Sequence, residues 1–167
     1  MAPTDDGKRA GWVVGTTVPT VLHLFTAPER GAPMVSSPNV MVQEGKGIVG
    51  DRYFKASNRK GPDYQLSLIE REAIDAFNAQ FGTRLLPEAP RRNIVTTGVR
   101  LNDLCGRQFR VGPILLEGLE LCEPCRLFKI RTDPRTLKFF EGRGGLRTRI
   151  LSSGVLEVGA LIDTAMS

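Results

Sequence analysis

Glycine and proline cut this chain into short pieces. Eighteen glycines and 11 prolines punctuate it, and between them lie β-branched and apolar runs that close after a few residues. Residues 18–25, 40–42, 48–53, 64–69, 91–97, 108–111, 114–121, 146–151 and 155–162 all read as strands of this kind. Gly112-Pro113 marks a hairpin between two of them. No regular alternation of strand with long helical pattern occurs. A barrel or sandwich is therefore favoured over a Rossmann-type sheet.

Helical pattern is confined to a few places. Residues 67–81 place Ile69, Ala73, Phe77 and Phe81 at four-residue spacing, one face of a helix. Ser67 and Glu70 stand at the spacing of a capping box, and Gly82 supplies a stop. A helical turn is expected at 101–104. Thr132-Asp133-Pro134 reads as the start of a short helix carrying Leu137 and Phe140 inward. Residues 1–12 read as a frayed tail, 54–63 as a polar surface loop, and 13–167 as one domain. The 167 residues are too few for two substantial domains.

Composition narrows the classes. With 41% hydrophobic and 25% charged residues, the chain has the make-up of a folded domain rather than a disordered one. No apolar run reaches membrane-spanning length, and the first residues lack the apolar stretch of a secretory signal. The expected setting is cytoplasmic, with no membrane. Three cysteines and a single histidine do not make a disulfide framework or a His-rich metal cluster. A closed zinc site would need Cys105, Cys122, Cys125 and His23 together.

The net charge of +5 lies wholly in the second half, since acids and bases balance over residues 1–90. Eight bases against two acids fall in 126–149. Arginine predominates, and its planar fork suits phosphate or carboxylate. This stretch reads either as a solvated basic face or as an anion site. Aromatic content of 7% and the lack of basic-aromatic interleaving argue against nucleic acid as the partner.

Three constellations carry chemistry. Cys122-Glu-Pro-Cys125 follows the apolar run 114–121, where a strand leaves its sheet. A dithiol switch and a single activated thiolate are both readings of it. The thiolate is the better one, because Arg126, Lys129 and Arg131 follow and nearby cations favour ionisation. The segment after Cys125 reads as extended, and Cys105, between Leu104 and Gly106, reads as a small core residue. Gly47-Ile-Val-Gly50 leads into Asp51 and Arg52, a pair that either braces itself or faces a site. Arg91, Arg92, Asn93 and Thr96 cluster forked donors, an amide and a hydroxyl suited to an anionic polar ligand.

Taken in order, Gly-Ile-Val-Gly-Asp-Arg-Tyr (47–53), Gln-Leu-Ser-Leu-Ile-Glu-Arg-Glu-Ala (65–73), Arg-Arg-Asn-Ile-Val-Thr-Thr-Gly (91–98), Leu-Cys-Gly-Arg-Gln-Phe-Arg-Val-Gly (104–112) and Cys-Glu-Pro-Cys (122–125) resemble the MOSC domain. The likeness extends over about 13–163. It implies an all-β fold, mainly an antiparallel β-barrel with a few peripheral helices. It also implies a cysteine that carries sulfur as a persulfide or ligates the molybdenum of a pterin cofactor. The matching residue is Cys125. Cys122 is not part of the general family pattern, and the two-residue gap to Cys125 reads as room for a disulfide or a persulfide relay. Asp51, Arg52, Arg91, Arg92, Asn93, Thr96 and Arg126 are the expected cofactor-binding set.

The activities implied are sulfur transfer to a metal–sulfur or molybdenum centre, or cofactor-dependent reduction of N-hydroxylated compounds. The partners implied are a cysteine desulfurase as sulfur donor, a redox donor protein, and a small anionic ligand. No pyridoxal phosphate is expected, because no lysine stands in a Schiff-base context. The competing reading is a non-enzymatic basic β-barrel that binds an acidic protein partner or nucleic acid.

Overall fold

The computed structural model describes residues 17–54, 65–124 and 126–166. The expected tail at 1–12, nearly all of the 54–63 loop, and Cys125 lie outside the described residues. The strands are β1 (Thr20–Thr26), β2 (Val35–Ser36), β3 (Asn39–Gln43), β4 (Gly47–Ile48), β5 (Leu66–Glu70), β6 (Ile94–Thr97), β7 (Gln108–Val111), β8 (Ile114–Leu121), β9 (Leu146–Ile150), β10 (Gly154–Glu157) and β11 (Ile162–Asp163). The helices are α1 (Arg71–Phe81), α2 (Arg126–Arg131) and α3 (Thr136–Phe139), with a 3₁₀ turn at Leu101–Leu104.

One sheet runs in the order β11-β7-β8-β9-β5-β6-β1-β2, and a smaller one in the order β10-β3-β4. The large sheet curls until its ends meet. The Val21 N–H donates to the Ala160 carbonyl at 2.9 Å, and the Ile162 N–H to Pro19 at 2.9 Å. This is the expected barrel, mostly antiparallel. One pair departs from that pattern. β5 and β6 are parallel, joined through α1 in a single β-α-β crossover that the short-strand pattern did not disclose.

The barrel holds one apolar core and carries a second on its outside. Leu24, Leu68, Ile94, Phe109, Leu116 and Leu146 belong to the inner cluster. Outside it, Phe25, Ile69 and Val95 meet Ile74 and Phe77 of α1, Phe128 of α2 and Phe139 and Phe140. The period of two along β5 explains the split: Leu68 faces in and Ile69 faces out. Phe77 stands 5.2 Å from Phe139, edge to face, and 5.6 Å from Phe140.

Four expected elements differ locally. The expected strand 48–53 keeps only Ile48 in β4 and is helical at 52–54, where the Asp51 carboxylate accepts from the Tyr53 N–H at 3.3 Å. The expected strand 155–162 breaks into β10 and β11 at a turn over 158–159, with Gly159 at φ 92°. Ser67 does not cap a helix. It lies in β5 between β9 and β6, and α1 begins after Glu70 with no side-chain cap. Strand pairing on both sides outweighs a capping signal worth about 1 kcal/mol. The stop at Gly82 is as expected, in the left-handed conformation with its N–H on the Asn78 carbonyl. Likewise the segment after Cys125 coils rather than extends. In α2, Phe128 is buried 5.2 Å from Phe140, and that packing supplies what local propensity lacked.

A bulge in β8 sets the site. Gly118 pairs with Thr148, yet Glu120 pairs with the next residue back, Arg147, and Leu121 with Leu146. The extra residue reverses the alternation, because side chains switch faces when register slips by one. Ile114 and Leu116 point inward; an unbroken strand would turn Cys122 inward too. The bulge sends it to the outer face instead.

Phe77 is the node of the outer core. Phe77→Ala should cost about 3–5 kcal/mol, the range for deleting a buried aromatic, with little change in the denaturant slope. Urea unfolding followed by circular dichroism measures both.

Candidate functional site

Ser67, Arg91, Arg92, Asn93, Cys122 and Arg147 line a small pocket of about 30 Å3, with Tyr53 and Leu66 also on its wall. It sits where β5, β9 and the end of β8 run side by side and the chain turns into β6. Ser67 and Arg147 are register partners across β5 and β9. Cys122 leaves β8 next to them.

Cys122 is held rigidly. Its N–H donates to the Gly145 carbonyl at 2.8 Å. Gly144 lies so close that a Cβ there would stand 2.2 Å from the Cys122 carbonyl oxygen. Only glycine allows that approach. The side chain is buried, and burial pushes its thiol above the ordinary cysteine range. Arg92 and Arg147 oppose that shift by charge, and Arg147 also hydrogen-bonds the thiol, while Glu120 adds to it. Burial wins, so the resting thiol is protonated near neutral pH.

Arg92 is anchored by carbonyls. Its Nε donates to Gly144 at 2.9 Å and its Nη2 to Glu123 at 3.3 Å. Asn93 is a structural hub. Its Oδ1 accepts from the Ser67 N–H at 3.1 Å and hydroxyl at 3.3 Å, and its Nδ2 donates to the Phe25 carbonyl at 3.1 Å. Arg91 is a non-glycine residue at φ 63°, a conformation that carries strain.

Asp51 and Arg52 brace the pocket from behind. The buried Asp51 Oδ1 accepts from the Ala27 N–H at 3.0 Å and from Arg52 at 3.1 Å. Arg52 Nη2 donates to the Arg91 carbonyl at 3.3 Å, and its guanidinium lies 4.4 Å from the Tyr53 ring centre.

This fold can now be set beside known proteins. The family model for the MOSC domain matches residues 55–163. The chain belongs to the MOSC domain family. Its fold is similar to that of YuaD from Bacillus subtilis, at 17% identity and TM-score 0.74, covering 87% of this chain and 94% of that one. It is similar also to YiiM from Geobacillus stearothermophilus (17% identity, TM-score 0.70, 87% and 74%) and to YiiM from Escherichia coli (19%, 0.66, 89% and 70%). No curated protein sequence matches it.

Within this MOSC domain, the pocket brings together Arg91, Arg92, Asn93 and Cys122, with Asp51 and Arg52 directly behind. Two residues of the expected set stand apart. Thr96 is buried on β6, its hydroxyl donating to the Ile69 carbonyl at 3.3 Å. Arg126 is exposed at the start of α2 and is not among the lining residues. Cys125 lies outside the described residues. Cys105 is exposed, contrary to the expected core position. Leu101 and Leu104 of the 3₁₀ turn fill the barrel, which leaves the next side chain facing out.

Arg147 escaped notice in the sequence because it was one base among eight. Half of that stretch is otherwise engaged. Arg131 donates to the Gly31 carbonyl at 2.6 Å, Arg135 pairs with Asp133, and Arg149 pairs with Glu117. Arg143 stacks 4.2 Å from the Phe139 ring centre. The signal that singles out Arg147 is its place on β9 between Leu146 and Thr148, directly opposite Ser67 and Glu120. Among the described residues no cluster of three His, Cys, Asp or Glu side chains is arranged to hold a metal ion, and no helix is long and apolar enough to cross a membrane.

Two measurements probe this geometry. Asn93→Leu leaves the Ser67 N–H and the Phe25 carbonyl without their amide partner, so it should destabilise the domain by about 2–4 kcal/mol; thermal melts check this. Because Cys122 reacts only as the thiolate, its alkylation by iodoacetamide should be slow near neutral pH. It should rise roughly tenfold per pH unit until the raised pKa is passed. Mass spectrometry should show the exposed Cys105 labelled before Cys122.

Proposed function

We propose that this MOSC domain handles sulfur through Cys122 and Cys125, and that the pocket lined by Cys122 at the end of β8 holds a small anion. The observation that carries the reading is the Cys122 thiol, buried between Arg92 and Arg147. A thiolate accepts sulfane sulfur, and guanidinium forks bind oxyanions. The family resemblance assigns the leading chemistry to Cys125, and the two-residue gap makes Cys122 its natural resolving partner. A thiolate attacks the outer sulfur of a donor persulfide. The new S–S bond forms as the donor S–S bond breaks, and the donor leaves as its thiolate. A cysteine desulfurase is a donor of that type. The reading puts this chemistry in the cytoplasm, where thiols stay reduced.

The same donors fit the molybdenum cofactor. A thiolate suits a soft metal centre, and three arginines in one pocket suit a phosphate. Cys125 would ligate the metal, and Arg91, Arg92 and Arg147 would hold the phosphate. When bound, the group supplies the two-electron redox chemistry that reduction of an N-hydroxylated compound requires, with electrons from a redox donor protein. The chain's own part is to fix the cysteine segment, through the Gly144–Gly145 backbone, and to hold the anion. Asp51 and Arg52 keep Arg91 in its conformation, and Asn93 keeps Ser67 and β6 in place.

Protein made in a cofactor-competent host is the material for the test. Elemental analysis and non-reducing intact mass should show bound molybdenum or an added sulfur atom, lost in the Cys122→Ser/Cys125→Ser double variant. A load undiminished in that variant overturns the reading.

A further inference from the structure

The Cys122 pocket has a specific charge make-up. Among the described residues, three arginines and no acidic side chain line it. Glu120, across the β8–β9 register from Arg147, is the acidic group that acts on the thiol among the described residues. The thiol is placed by backbone contacts on both sides: the Gly145 carbonyl on its N–H and the Gly144 backbone against its carbonyl. A fixed nucleophile among cations, in a pocket this small, selects a small ligand of high negative charge. A neutral electrophile gains nothing from the arginines.

From this we infer that the Cys122 pocket takes a small sulfane-sulfur dianion of the thiosulfate type as a sulfur donor and stores the sulfur as a Cys122 persulfide. The inference rests on the sulfur-handling reading above and adds the donor class and the accepting atom. Arg91, Arg92 and Arg147 would take up the sulfonate end, which leaves the outer sulfur toward Cys122 Sγ. The new bond joins Sγ to that outer sulfur. The S–S bond of thiosulfate breaks, and its electron pair leaves on sulfite. The thiol proton departs with it as hydrogen sulfite, and Cys122 remains as the persulfide anion. Two negative charges enter and two result, so no oxidant or reductant is needed.

The electrostatics favour the loaded state. A hydropersulfide is a stronger acid than its parent thiol. Burial keeps the thiol protonated, whereas the more acidic persulfide ionises beside Arg147 as a charge-assisted pair. Arg147 is thus a positioning residue for the product as well as for the donor.

The test uses the full chain in a Cys105→Ser/Cys125→Ser background, so that added sulfur can sit only on Cys122. Incubation with thiosulfate should add one sulfur atom by non-reducing intact mass, removable by cyanide, with sulfite released in step. Cys122→Ser in that background should abolish both signals. Arg147→Gln should slow loading about tenfold or more, while Arg147→Lys, which keeps the charge, should restore part of the rate. Circular dichroism on each variant confirms that it is folded.

Failure to load from thiosulfate, or equal loading after Arg147→Gln, overturns the inference. Wild-type protein that gains sulfur from a desulfurase, or holds molybdenum, while Cys122 takes none from thiosulfate, overturns the inference alone and leaves the broader reading standing. Wild-type protein that gains neither removes the broader reading as well.

Discussion

One side chain joins three strands of the barrel. Asn93 receives the Ser67 N–H and hydroxyl on one atom and gives its amide hydrogen to Phe25. Its backbone binds the same two neighbours, N–H to the Ser67 carbonyl at 3.1 Å and carbonyl from the Phe25 N–H at 2.7 Å. β5, β6 and β1 are therefore registered at the point where β6 begins. Arg91 and Arg92 directly precede that point, so the same amide that closes the sheet also aims the cationic wall of the pocket. A polar group this deeply buried is stabilising only when fully bonded, and this one bonds on both its oxygen and its nitrogen.

The arginines divide into staples and site residues. Arg52 ties the Asp51 turn to the Arg91 carbonyl, and Arg131 ties α2 to the Gly31 carbonyl. Arg92 belongs to both groups, since it holds two carbonyls and still faces the thiol. A guanidinium with several donors can do this where an ammonium point charge is less well matched. The sequence excess of arginine over lysine thus reflects backbone stapling as well as the positive charge of the pocket.

The strands, the Gly112-Pro113 hairpin, the helix face of Ala73 and Phe77 and its stop at Gly82 were legible because each depends on local spacing. Arg91, Arg92, Asn93 and Cys122 were legible as a group only through the ordered resemblance to the MOSC family, since no spacing rule links residues 91–93 with 122. Three features were not legible. Ser67 carries a strong helix-cap signal yet pairs as a strand. Cys105 has apolar neighbours yet faces out. Arg147 looks like any other base of its stretch.

The sequence by itself determined the strand-rich barrel and the glycine positions at which backbones touch. Gly144 and Gly145, for instance, permit contact with Cys122 and Leu68 that any side chain would block. Only the tertiary structure decided which face Cys122 occupies. The bulge after Gly118 arises from pairing between β8 and β9, a contact across nearly thirty residues of chain, and no local pattern encodes where a ladder gains one extra residue. That single shift in register places the thiol outside the barrel and beside Arg147, because alternation along a strand leaves only two faces and one residue chooses between them.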